Sequence, residues 1–71
     1  MKSTDEWLKQ LFKTSTRNLA KSINTMKYHR QYVEEHSYEY SLEELDHKLY
    51  HFNYCIDKAE AEYNRRLKIN I

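Results

Sequence analysis

The chain has 71 residues, a formal charge of +1, no glycine, no proline and a single cysteine, and its mean hydropathy is −1.07. That length admits one domain with a small core. One thiol excludes an internal disulfide and fits a reducing compartment, while the missing Gly and Pro exclude Gly-rich phosphate loops and leave little to break a helix.

A domain this small gains stability from a metal or a partner when it has no disulfide. Charge is unevenly spread: residues 1–36 hold seven Lys/Arg against four Asp/Glu, and residues 37–71 hold five against seven. Neither half is basic enough to imply nucleic acid. No apolar run approaches the roughly 20 residues of a membrane span, and Met1-Lys2-Ser3-Thr4-Asp5-Glu6 lacks the apolar stretch of a signal peptide. The expectation is a cytoplasmic protein that touches neither membrane nor nucleic acid.

Ser3 and Glu6 have the spacing of a capping box, in which side chains satisfy N–H groups that a first helical turn leaves unpaired. Trp7, Leu8, Leu11 and Phe12 come next at helical spacing. Thr14-Ser15-Thr16-Arg17-Asn18 then interrupts with residues that prefer caps and turns, which predicts a kink or a separate short helix. Residues 1–15 therefore form a short N-terminal helical extension. The first long helix spans 16–36, with an apolar stripe of Leu19, Ile23, Met26 and Val33 that is thin where His29 and Arg30 replace an apolar residue.

The period is lost over 37–41. Ser41 and Glu44 form a second capping box, and Tyr40 and Leu45 bracket it as a hydrophobic staple. The second long helix spans 42–67. Its apolar positions Leu42, Leu45, Leu49, Phe52, Ile56, Ala59 and Tyr63 alternate steps of three and four, a heptad seam that faces one partner helix. Glu43, Glu44 and Asp46 near its start and Arg65, Arg66 and Lys68 near its end suit the helix dipole. Short connections make neighbouring helices antiparallel, so the predicted fold is all-α: an antiparallel helical hairpin of two long helices plus the extension, all one domain.

Such a hairpin leaves large side chains uncovered. Trp7, Leu8, Leu11 and Phe12 lie beyond the Ser/Thr interruption, and Tyr28 and Tyr32 lie four apart along a flank. Aromatic side chains are enriched at interfaces. These six are the predicted partner-binding residues.

Chemistry at single residues is less favoured. His47, His51 and Cys55 are spaced i, i+4, i+8, but the outer two are about 12 Å apart along a helix, too far to close on one ion without His29 or His36. Cys55 has no oxyanion hole, because helical N–H groups are committed to the ladder. Lys9, Lys13, Arg17, Lys21, Lys27 and Arg30 are dispersed as on a solvated face. The expectation is a protein that is not an enzyme, with no cofactor and no metal.

Met26-Lys27-Tyr28-His29-Arg30-Gln31-Tyr32-Val33-Glu34-Glu35 and Cys55-Ile56-Asp57-Lys58-Ala59-Glu60 resemble the corresponding blocks of the small co-chaperones of bacterial type III secretion, across about Ser15 to Asn64. The resemblance implies a helical hairpin that pairs as a heterodimer with a helical-repeat chaperone. The pair would keep a needle subunit from polymerising in the cytoplasm, so the partners would be that second chaperone and the secreted subunit. Ile23-Asn24-Thr25-Met26-Lys27, with Ser41-Leu42-Glu43-Glu44-Leu45 and Leu49, resembles the dimerisation region of the histone-like nucleoid-structuring protein, with an insertion near Ser37–Tyr40. Thr4-Asp5, Leu19, Ile23 and Lys27-Tyr28 are similar to the haemolysin expression modulators, whose acidic block is missing. Those two resemblances imply a nucleoid regulator acting by homodimerisation or by binding a DNA-binding protein.

Overall fold

The computed structural model describes residues 3–69, and among them every regular element is helical. Three α-helices succeed one another: α1 (Thr4–Leu11), α2 (Thr16–Glu35) and α3 (Leu42–Ile69), with a 3-10 turn at Ser37–Glu39 between the last two. Asn70 and Ile71, where the end of the apolar pattern predicts fraying, lie outside the described residues.

Each start is capped by a serine. The Oγ atoms of Ser3, Ser15 and Ser41 accept from the N–H groups of Glu6, Asn18 and Glu44, each at 3.2 Å. At Ser41 the hydroxyl also donates to Glu44 Oε1 at 3.3 Å, so the acid meets the hydroxyl where the capping box predicts a backbone N–H. Ser15, which reads in sequence as part of an interruption, is the cap that begins α2. Replacing Ser41 with alanine removes an acceptor for an orphan N–H and should cost about 1 kcal/mol. Thermal unfolding followed by circular dichroism should show a midpoint lower by about 4–8 °C.

No described residue has positive φ, so α2 ends without the left-handed residue common at helix ends. The His36 N–H and ring Nδ1 both meet the Tyr32 carbonyl, at 3.0 and 2.9 Å. Glu39 then donates to His36 and Tyr40 to Ser37, tightening the turn into 3-10 geometry.

The core unites all three helices. Leu8 and Leu11 from α1, Leu19, Ile23 and Met26 from α2, and Cys55, Ile56 and Ala59 from α3 are buried together. The short N-terminal helix is thus a third wall of the core. Its eight residues are amphipathic, and Leu8 and Leu11 are buried with Cys55, Ile56 and Ala59 of α3. Val33 is buried but stands apart from this cluster, and Leu45 and Leu49 are only half-buried. The core is therefore concentrated beside α1. The radius of gyration, 13.7 Å, exceeds the roughly 11 Å of a compact chain this long, and the extents of 44 × 25 × 15 Å are those of a thick rod.

Polar contacts lock the ends together. Arg66 donates to the Phe12 carbonyl at 2.6 Å and the Thr14 carbonyl at 2.9 Å, which no helical N–H reaches beyond α1. Lys27 pairs with Glu60 at 2.8 Å, and Arg30 donates to Asn53 Oδ1 at 2.8 Å. Glu62 pairs with Arg65 and Arg66. The hydrogen bond from Arg65, together with the Arg65 and Arg66 charges, holds the Glu62 carboxyl below its ordinary value, against a smaller upward push from burial. A depressed carboxyl stabilises the fold above its unfolded-state value and loses that contribution as pH falls through the folded-state one. Acidification below 4.5 should therefore destabilise the parent chain more than Glu62→Gln, measured by urea unfolding across the acid range.

Candidate protein-binding surface

Where α1 begins, the surface opens. Ser3, Thr4 and Trp7 of the α1 end, Met26 of α2, and His51, Phe52 and Cys55 of α3 line a partly open cavity of about 380 Å³. Helical spacing sets this up: Phe52 and Cys55 are three apart, and His51 lies one turn before Cys55 on the same flank.

Aromatic rings extend the surface away from the cavity. His51 meets Phe52 edge-on at 6.2 Å, Phe52 stacks on His29 at 6.5 Å with planes 2° apart, and His29 meets Tyr28 edge-on at 6.0 Å. Trp7 and Tyr28, distant in sequence, thus belong to one connected aromatic surface. A second group, Tyr32 on His36 at 4.0 Å and His36 by Tyr38 at 6.0 Å, occupies the end of α2. Lys48 sits over the Tyr40 ring at 5.3 Å, a cation–π contact on the far side of the turn.

The six predicted contact residues divide. Trp7, Tyr28 and Tyr32 are exposed at 39%, 68% and 47%. Leu8 and Leu11 are buried in the chain's own core, and Phe12 is half-buried against it, so these three offer a partner little or nothing. The cause is the folding back of α1, which turns its leucines onto α3. Tyr38, Leu42 and Tyr50 fall outside the predicted contact set, yet they are exposed at 78%, 86% and 70%. Tyr50 stands four residues before Tyr54, the same flank spacing in sequence as Tyr28 and Tyr32. Leu42 was hidden by its place in the heptad.

Tyr54 is fixed by α1: its hydroxyl donates to Asp5 Oδ1 at 3.3 Å. The Asp5 charge, burial and that hydrogen bond raise the phenol above its ordinary value. Cys55 is 3% exposed, and its Sγ lies 3.8 Å from His51 Nε2. Burial pushes the thiol up from its ordinary value, so it is protonated at neutral pH and poorly suited to nucleophilic attack. Among the described residues, no three His, Cys, Asp or Glu side chains are grouped to hold a metal ion. No described helix is long and apolar enough to cross a membrane. Comparison with family models, curated proteins and solved structures finds no match for this chain.

Proposed function

We propose that this chain is a cytoplasmic co-chaperone, an antiparallel α2–α3 hairpin half-covered by α1, which pairs with a helical-repeat chaperone around a type III secretion needle subunit. Contacts that run in opposite directions along the two long helices support the hairpin: Thr16 meets Arg66 at 3.4 Å, and Arg30 meets Asn53. One observation carries the binding role. The outer face of α1 presents Trp7, and the hairpin presents Tyr28, Tyr32, Tyr38 and Tyr50, all exposed on a chain with few apolar residues to spare.

Each large ring fully covered by a partner contributes about 1.5–3 kcal/mol. A standard interface takes about 800 Å² from each side, and α2 with the turn offers a rod face of the right length. The physical role is to complete the partner's apolar surface while the partner covers this one. Residues 26–35 and 55–60, which carry the resemblance to the co-chaperones, support the reading.

Co-expression with a helical-repeat chaperone of this class and its needle subunit should yield a soluble complex with one copy of each chain. Tyr28→Ala/Tyr32→Ala should weaken it at least about tenfold, equivalent to about 1.4 kcal/mol, with the isolated chain's melting unchanged. A stable homodimer of the isolated chain at low concentration, with both tyrosines protected, would count against the proposal and favour the nucleoid-regulator class.

A further inference from the structure

We infer that Met26, His51 and Cys55 form a binding site for a soft monovalent cation, copper(I) or its analogue silver(I), in the cavity beside Trp7. The three donors come from two helices, and all line the same space of about 380 Å³. Thiolate, thioether and imidazole are the ligands that soft d¹⁰ ions select.

Geometry supports the pair at the centre. With the bond lengths of zinc as a guide, about 2.0 Å to nitrogen and about 2.3 Å to sulfur, an angle near 120° holds those atoms roughly 3.7 Å apart. The His51 Nε2 to Cys55 Sγ separation is 3.8 Å before any ion enters. Helical i, i+4 spacing fixes that approach, and Met26 closes the cavity from α2.

Charge selects the valence. Among the described residues, none that lines the cavity is Asp, Glu, Lys or Arg. On binding, the Cys55 S–H bond breaks, its proton leaves to solvent, and a sulfur–metal bond forms. Thiolate and a monovalent ion sum to zero, which an apolar cavity tolerates. A divalent ion would leave one buried charge without a counter-ion. Zinc takes three or four ligands from Cys, His, Asp and Glu, and among the described lining residues His51 and Cys55 are the two of that kind.

The test is an anaerobic titration of the full chain with copper(I) against a competing copper(I) chelator, read by metal-to-protein ratio and by quenching of the single tryptophan. One ion per chain is expected. Cys55→Ser should abolish binding, and Met26→Leu and exposed His51→Gln should each weaken it at least about tenfold. Affinity should rise about tenfold for each pH unit while the free thiol remains protonated, because one proton is released. Met26→Leu conserves volume and His51 lies at the surface, so those two variants decide the matter even where Cys55→Ser unfolds. Parent-like affinity in both would mean a thiol acting alone and would overturn the assignment. So would zinc(II) binding as tightly as copper(I), or one ion shared between two chains.

Discussion

Ile56→Ala should lower the thermal midpoint by at least about 10 °C, whereas Leu42→Ala, at the head of the same heptad seam, should barely move it. Ile56 is 2% exposed and belongs to the core that all three helices build, while Leu42 is 86% exposed. Truncating a buried isoleucine costs about 2–5 kcal/mol, through lost transfer energy and the cavity left behind. A chain of this length has only about 4–10 kcal/mol in total, and each kcal/mol moves the midpoint by about 4–8 °C. The surface substitution should stay within about 0.5 kcal/mol. Urea and thermal unfolding followed by circular dichroism measure both. Equal losses at the two positions would mean that the seam is continuous and that α1 does not localise the core.

Arg66→Ala should cost about 2–3 kcal/mol and act chiefly on α1. The guanidinium donates to two carbonyls just past the end of α1, to Thr16 Oγ1 at 3.4 Å, and it pairs with Glu62 at 3.4 Å. Hydrogen bonds from a charged donor are worth about 1.5–3 kcal/mol, and those carbonyls have no helical partner to fall back on. The side chain is only 14% exposed, so water replaces it poorly. Arg66→Lys should recover part of the loss at most, since a single ammonium does not fork between separate carbonyls. Trp7 fluorescence should shift to the red and proteolysis near Lys13 should quicken before α2 and α3 melt. Simultaneous loss of all three helices at the parent midpoint would show that Arg66 is not a clasp.

Much of the helical content was legible in the chain. Ser3 and Ser41 mark two starts by their own chemistry, and the stripe Leu19, Ile23, Met26, Val33 identifies the inner face of α2. Local signals of this kind act within one or two turns, so sequence reports them well. The missed features are long-range. Ser15 has the chemistry of a breaker and of a cap alike, and only the packing of Leu19 selects the cap. Cys55 lies off the heptad seam, which accounts for one facing helix; a second neighbour, α1, widens the buried stripe to include it. Leu8 and Leu11 read as docking residues because nothing in their own spacing shows that α1 folds back.

Packing also accounts for the residue pattern in the middle of α3. In the block Cys55–Glu60, Cys55, Ile56 and Ala59 are all buried. Those positions describe how closely helices approach. Trp7, Tyr28 and Tyr32 lie outside that packed set, and their exposure agrees with the spacing that marks them in the sequence.

Amide hydrogen exchange, residue by residue, on the isolated chain addresses the central claim that α1 secures only one half of the molecule. Residues 19–26 and 55–59 should exchange at the rate of global unfolding. Residues 28–33 and 42–49 should open more easily and become protected when a partner covers the aromatic face. Uniform slow exchange through both regions of the free chain would contradict the account, because no uncovered half would remain for a second molecule to complete.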